Sequence, residues 1–374
     1  MKIAIYGGSF NPVHVEHINL VKMAIDHFSL DKLIVVPSFM PPHRLNDERE
    51  DFSHRYNMLK LCFEGVEKVE VSNFEQLSGG VSYTYLTIEH FKKQYPFDQL
   101  YFLVGTDMLF DFPSWYNPKG ILENCQLIVT PREGDNLELA VKNFQSIFAV
   151  NPLISPYIGK NVSSTKLRTY LKLGLKTNLT IEPVLNYIKE NNLYLGGEYY
   201  EFVKGKLPEK RLIHTANVIV KGISLAKQIG EDKQMVELAC LLHDVAKYEK
   251  VDDYCDFTPP INVPDSVIHQ FLGAHICKTV LKIPYDNVIN AVCYHTTGRK
   301  NMSNLEKIVF IADLIEENRN FSGVDEIRKR IDKNFETGFA FAVKELYKFL
   351  KNQNNKVYYL TKECAEFYNK GELL

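Results

Sequence analysis

The sequence is poor in features that would place it in a special class. It has one tryptophan and no C-x-x-C pair, and its seven cysteines (Cys62, Cys125, Cys240, Cys255, Cys277, Cys293 and Cys364) are scattered. An odd, unpaired set excludes a disulfide framework and a cysteine zinc site; it is expected of reduced thiols in a cytoplasmic protein. No apolar run approaches the roughly 18 residues that a membrane-spanning helix needs. The start, MKIAIYGGSF, turns to glycine too early for a signal peptide. Neither sign of charge dominates: 44 basic against 46 acidic residues leave a net charge of −2. That balance argues against broad nucleic-acid binding driven by counterion release, and leaves room for local phosphate pockets. Low-complexity tracts and internal repeats are also missing.

What remains is 374 residues of ordinary globular composition, enough for two domains with separate cores. Up to about residue 195, short β-rich runs (KIAIYG, KLIVVP, KVEVSN, LYFLVG, QLIVTP) alternate with helical stretches such as 15–28, 53–64 and 83–93. Alternation of this kind predicts an α/β domain with a parallel sheet, whose ligands bind beyond the carboxyl ends of the strands. From about Tyr199 only helical periodicity is left, in segments such as HTANVIVKGISLAKQIG and QMVELACLLHDVAK. The expected division is an α/β domain over 1–195 and an all-α bundle over 199–374, hinged at Gly196 and Gly197.

In the first domain, the strand at 3–6 runs into Gly7 and Gly8, then Asn11 and Pro12, then His14 and His17 at a helix start. Glycines let backbone approach a phosphate, and a helix N-terminus supplies free N–H groups and partial positive charge. Histidines three apart share one helix face and can donate to charge building up on a phosphate.

This unit resembles the G-G-[ST]-F-x-P-x-H-x-G-H signature of the nucleotidyltransferase superfamily with the Rossmann-like fold. NVSSTKLR is similar to its I-S-S-T-x-I-R run. PSFMPPHR, SYT and GTDML…W look like nicotinate-nucleotide adenylyltransferases in particular. The resemblance implies transfer of AMP from ATP to nicotinate mononucleotide, with Mg²⁺ on the ATP and His14 and His17 as catalytic residues. Gly7, Gly8, Ser9, Phe10, Gly105 and Asp107 would line the nucleotide site. Arg44, Arg132, Ser164, Thr165 and Arg168 would serve phosphates, and Thr84 and Trp115 the nicotinate nucleotide. Phosphopantetheine is a rival acceptor, against which PPHR, SYT and Trp115 speak. The chain departs from the pattern at Glu16 for glycine, Asn11 for aspartate and Leu86 for aspartate.

The second half carries an ordered series: His214, His243 with Asp244, His269, His295 and Asp313, with His275 competing with His269. Imidazole and carboxylate together suit Fe, Mn or Zn rather than Ca, and ligands from several helices make a buried site. Two metals sharing a carboxylate could activate water and grip a phosphate. The series resembles the HD superfamily of metal-dependent phosphohydrolases, and RLIHTANV, LLHDVAKY, CYHTTGR and ADLIEENR look most like its YqeK-type branch. That resemblance implies symmetrical hydrolysis of diadenosine tetraphosphate to two ADP with two transition metals, Fe or alternatively Mn. It selects His214, His243, Asp244, His269, His295 and Asp313 as ligands, with Asp244 bridging and acting with Lys247 in catalysis. Thr296, Thr297, Arg299 and Arg319 would contact polyphosphate. Another phosphate ester, or a regulatory nucleotide-binding module, is the alternative. The partners expected are small molecules (ATP, nicotinate mononucleotide, diadenosine tetraphosphate) and a second copy of the chain as a homo-oligomer, without nucleic acid or membrane.

Overall fold

A computed structural model gives the fold of residues 1–42, 49–160, 162–352 and 357–370. Arg44 lies outside these described residues. The β-rich runs form strands β1 (Lys2–Gly8), β2 (Lys32–Pro37), β3 (Val69–Val71), β4 (Gln99–Gly105) and β5 (Gln126–Thr130). A sixth, β6 (Leu153–Ile154), is two residues long and too short to carry a periodic signal. They pair in the order β3-β2-β1-β4-β5-β6, every neighbour parallel. Ile3, Ala4 and Ile5 of β1 and almost all of β4 are buried, because helices cover both faces of the sheet. The strand order reverses between β1 and β4, so their carboxyl ends, Gly7 and Gly8 beside Gly105, open the crevice where such sheets take ligands.

The helices of this part are α1 (Val15–His27), α2 (Phe52–Phe63), α3 (Phe74–Ser78), α4 (Thr84–Gln94), α5 (Thr106–Asp111), α6 (Pro118–Asn124), α7 (Leu137–Phe148), α8 (Ser164–Lys172) and α9 (Glu182–Glu190). The rest of the chain is helical: α10 (Glu198–Lys206), α11 (Glu209–Ile229), α12 (Lys233–Leu242), α13 (Asp265–Thr279), α14 (Asp286–Tyr294), α15 (Asn304–Ile315), α16 (Val324–Lys333), α17 (Phe335–Asn352) and α18 (Tyr359–Tyr368). Among the described residues no helix is long and apolar enough to cross a membrane.

The chain divides into two compact units. One comprises Met1–Arg168 and Thr177–Tyr194; the other comprises Thr169–Lys176 and Leu195–Leu374. A single cut near 195 therefore misses an excursion, since Leu173 and Leu175 sit in the core of the second unit with Val203 and Leu207. Lys172 adds an ion pair to Glu237 at 2.6 Å within that unit.

QMVELACLLHDVAK reads as one helix, but α12 ends at Leu242 and His243 and Asp244 occupy the following turn. The His243 imidazole Nδ1 donates to the Cys240 carbonyl at 2.7 Å, taking the acceptor that the next helical N–H would use. Tight bonds then follow, Val245 N–H to the Leu242 carbonyl and Lys247 N–H to the Asp244 carbonyl. His295 ends α14 in the same way, with Nδ1 donating to the Val292 carbonyl at 2.8 Å. Inside the bundle α11 and α12 approach closely at Gly222, where an added Cβ would stand 2.6 Å from Cys240 Sγ and 3.0 Å from Val236 Cγ1. Gly222→Ala should destabilise the second unit by about 1–3 kcal/mol through overpacking. An unchanged urea midpoint for that unit's transition would contradict the packing.

Candidate active sites

The first site is built around the turn from β1 to α1. Gly8 makes room for the Phe10 ring, which would lie 3.0 Å from a Cβ at that position. Phe10 takes a left-handed φ of 45° and stacks edge-on to Tyr6 and His17, at 5.3 and 5.0 Å. Phe10 is thus buried as a prop for His17. Every carbonyl named next is held from elsewhere in the same unit. Gly8 O accepts Ser38 N–H at 2.8 Å, and Ser9 O accepts Arg55 Nη1 at 2.8 Å. Asn11 O accepts Arg168 Nη1 at 2.5 Å, Pro12 O accepts Ser164 Oγ at 2.8 Å, and Val13 O accepts Thr180 Oγ1 at 3.0 Å. The SSTKLR part of the NVSSTKLR element is therefore docked directly on the glycine-rich turn, and Arg168 also reaches Thr165 Oγ1 at 3.2 Å.

His14 caps α1 and His17 follows in its first turn, with rings stacked at 3.6 Å. The His14 N–H donates to His17 Nδ1 at 3.1 Å, so neutral His17 carries its proton on Nε2. His14 Nδ1 is buried without a partner. Burial pushes the His14 imidazole down to about 3 and the Arg132 charge pushes the same way; burial, His14 and Arg132 hold His17 well below its ordinary value. Both rings are neutral donors at neutral pH. Gly105 is required because a Cβ there would meet Asp107 Oδ1 at 2.6 Å, and Arg132 Nη2 lies 4.0 Å from the same point. Asp107 and Arg132 thus flank the end of β4, both exposed.

The SYT and PSFMPP segments also meet. Ser82 Oγ accepts the N–H groups of Phe39 and Met40 at 3.1 and 2.9 Å, joining SYT to PSFMPP. Thr84 opens α4 beside them, half-buried. Trp115 packs one way against Phe112 and Phe102, at 5.1 and 6.2 Å, and is half-buried. Exposed Tyr116, tilted against the Tyr83 ring at 4.7 Å, went unread. So did Arg55, a fully buried cation whose only sequence signal is an arginine on the apolar side of α2.

The second site centres on Asp244. Its Oδ2 faces His214 Nε2 at 3.9 Å, His243 Nε2 at 3.5 Å and Arg211 Nη1 at 2.8 Å. Its Oδ1 faces His269 Nε2 at 3.3 Å and His295 Nε2 at 3.6 Å. Two groups have the spacing to hold a metal: His214, His243 and Asp313, and Asp244, His269 and His295. His243 Nε2 is buried with no hydrogen-bond partner, as an atom available to an ion is, and His214 Nε2 faces Asp313 Oδ1 at 3.1 Å. Nδ1 of His243 and of His295 is tied to a carbonyl and that of His214 to Glu316 Oε1 at 3.2 Å, which aims each Nε2 inward. His275 lies outside both groups, paired with Asp256 at 3.1 Å.

Lys247 Nζ is 3.1 Å from His269 Nε2, and Thr296 Oγ1 is 3.3 Å from the same atom. Thr297 is buried and bound by Gln270, whose Oε1 also accepts the N–H groups of Thr296 and Thr297 at 3.1 Å. Arg299 is engaged by Glu306 at 2.7 Å and by the Tyr294 ring at 4.6 Å, a structural arrangement. Arg319 holds Asp313 at 2.5 Å. Arg211, Gln270 and Glu316 went unread, although Arg211 opens RLIHTANV and Glu316 lies in ADLIEENR.

Residues 5–170 match the Cytidylyltransferase-like family model and residues 211–318 the HD domain model. A probable nicotinate-nucleotide adenylyltransferase of Clostridium tetani is 37% identical over 197 residues, 52% of this chain and 98% of that protein. The first half of the chain belongs to the nicotinate-nucleotide adenylyltransferase family. The second half carries an HD domain with clusters suited to divalent metal. A protein of Mycoplasma genitalium, named probable nicotinate-nucleotide adenylyltransferase/Ap4A hydrolase, is 29% identical over 367 residues, 94% of this chain and 99% of its own. The solved structure of a predicted HD superfamily hydrolase involved in NAD metabolism, from Clostridium acetobutylicum, is 31% identical with a TM-score of 0.42, covering 46% of this chain and 96% of that one.

The histidine pair of the adenylyltransferase half makes its stability acid-sensitive. A free histidine takes up a proton near 6.5, whereas folded His14 does so only at about 3. Between these values the unfolded chain binds the extra proton, so stability rises with pH in that window and is lost on acidification. The slope is about 1.4 kcal/mol per pH unit for one such group. His14→Gln should therefore lose about 1 kcal/mol less than wild type between pH 7 and 5.5, read from urea midpoints. Equal losses would contradict the burial of a neutral His14.

Proposed function

We propose that the chain is a bifunctional cytoplasmic enzyme. Its first half transfers AMP from ATP to nicotinate mononucleotide, giving nicotinate adenine dinucleotide and pyrophosphate. Its HD half hydrolyses diadenosine tetraphosphate to two ADP. The observation that carries the first reading is the docking of Ser164 and Arg168 on the carbonyls of the glycine-rich turn, next to a neutral histidine pair.

In the first reaction a phosphate oxygen of the mononucleotide attacks the α-phosphorus of ATP. The bond to the bridging oxygen breaks, and pyrophosphate leaves in line. His17 Nε2–H and His14 donate to the phosphate oxygens as charge develops there. Ser164, Thr165, Arg168 and Arg132 hold the triphosphate, with Arg168 restrained by the Asn11 carbonyl. Thr84 and Trp115 orient the nicotinate nucleotide, and no covalent enzyme intermediate forms. Mg²⁺ bound to ATP supplies charge neutralisation of the leaving group.

For the HD half the supporting observation is Asp244, each of whose carboxylate oxygens faces a separate histidine group. His214, His243 and Asp313 would hold one metal, His269 and His295 the other, with Asp244 shared. Such a pair, Fe or Mn, supplies an acidified water and neutralises phosphate charge. Arg211 fixes the Asp244 carboxylate, Arg319 fixes Asp313, and Lys247 and Thr296 stand at the rim for the polyphosphate. Water adds across one P–O–P bridge, which yields two ADP when the central bridge is cut.

Two variants separate the activities. His17→Ala should lower adenylyl transfer about 10²–10³-fold while leaving hydrolysis intact. Transfer within a few-fold of wild type would overturn the histidine's role. Asp244→Ala should abolish hydrolysis and lower bound metal, leaving transfer within about twofold, because it removes the carboxylate that the two metals would share. Inductively coupled plasma analysis of wild type should find two transition metals per chain; fewer than one, with no gain on adding Fe²⁺ or Mn²⁺, would overturn the two-metal site. A panel of nucleotides offered to the Asp244→Ala and wild-type chains tests diadenosine tetraphosphate against other phosphate esters.

A further inference from the structure

Glu16 stands where the nucleotidyltransferase signature has glycine, between the two histidines. Its carboxylate is buried, with 8% of the residue exposed. It is not left beside the phosphate site. Oε2 accepts the Tyr157 hydroxyl at 2.7 Å and the Lys160 N–H at 2.9 Å, and Oε1 accepts Asn19 Nδ2 at 3.2 Å. Burial and the Glu16 carboxylate both push the Tyr157 phenol up, so it stays a donor.

The loop so gripped has two neighbours that matter. On one side Gly159 runs parallel to Arg132, with Gly159 N–H on the Pro131 carbonyl at 2.9 Å and Glu133 N–H on the Gly159 carbonyl at 3.0 Å. On the other, the chain continues from Lys160 into α8, whose Ser164, Thr165 and Arg168 dock on the histidine turn. Helix geometry turns residue 16 away from the face shared by 14 and 17. A side chain on the back of the histidine helix therefore grips the loop that is bridged to Arg132 on one side and leads to Arg168 of α8 on the other.

We propose that Glu16 is a positioning residue for the ATP triphosphate. It fastens residues 157–160 to α1, and so sets Arg132 and the start of α8 at a fixed distance from His14 and His17. A glycine in this place would leave that loop without its anchor on α1. This rests on the adenylyltransferase reading of the first half, and the test separates the two.

The sign of the effect is diagnostic. A carboxylate that merely sat near phosphates would repel them, and its removal would tighten ATP binding. A tether would do the reverse. Glu16→Gly should raise the KM for ATP, and the calorimetric Kd of a non-hydrolysable ATP analogue, about tenfold, with the KM for nicotinate mononucleotide within twofold. Glu16→Gln should recover to within about threefold of wild type, because its carbonyl oxygen still accepts the Lys160 N–H. Tyr157→Phe, which keeps the carboxylate and removes one bond, should cost about threefold on the same two readouts, and decides the matter if the glycine variant does not fold. Unchanged or tighter analogue binding in Glu16→Gly, or in Tyr157→Phe, overturns the tether while wild-type transfer stands. Wild type that neither binds the analogue nor transfers AMP overturns the adenylyltransferase reading, and the tether with it.

Discussion

The adenylyltransferase half depends on how one stretch of irregular backbone is held. From the end of β1 to α1 the chain leaves the ladder, and its carbonyls would be left unsatisfied on burial. Instead, those of Gly8, Ser9, Asn11, Pro12 and Val13 accept from Ser38, Arg55, Arg168, Ser164 and Thr180. The five donors come from four separate stretches of sequence, between β2 and the start of α9, so the turn is braced by most of the unit. Such bracing matters for a reaction in which the protein supplies little beyond position and charge. Burial in this packing, with the Arg132 charge acting the same way, keeps the histidine pair neutral below the usual imidazole range.

The HD half meets the corresponding problem with helix ends. His243 and His295 each follow the last residue of a helix and return Nδ1 to the carbonyl three residues earlier. One hydrogen bond thus ends the helix, fixes the ring and leaves Nε2 for an ion. His214, inside α11, has no such carbonyl available and is aimed by the buried carboxylate of Glu316, which Asn217 also holds at 3.1 Å. The candidate ligands thereby converge from α11, α13 and α15 and from the two alike turns after α12 and α14.

Much of this could be read in the chain. Long apolar strands ending in glycine and helices with sustained periodicity carry their own signal, and the five longer strands of the sheet were read from it. β6 was not, since two residues have no period. The motifs pointed to the right turns because strained or close-packed backbone demands particular residues: Gly8 for the Phe10 ring and Gly105 for the Asp107 carboxylate. The supporting residues were opaque for the opposite reason. Arg55, Gln270 and Glu316 are polar residues whose only distinction is burial, which local sequence does not encode. The excursion of residues 169–176 into the second unit was equally invisible, because Leu173 and Leu175 look alike whichever core receives them.

The two departures from the signature near the histidines bear on the same physical quantity. Asn11 replaces a carboxylate with a neutral amide, buried, whose Oδ1 accepts the Tyr194 hydroxyl at 2.7 Å and the Glu50 N–H at 3.3 Å. A neutral side chain there leaves the charges of Arg55 and Arg168, both on adjoining carbonyls, undiminished by a carboxylate at that position. Glu16 introduces a carboxylate five residues on, in the first turn of α1, directed onto the loop at Tyr157 and Lys160 and away from the face that His14 and His17 share. Negative charge has thus moved from the turn to its back, where hydroxyl and amide donors hold it. For a site that must attract a polyphosphate, that exchange favours binding on electrostatic grounds, and it turns an apparent defect in the motif into part of its support.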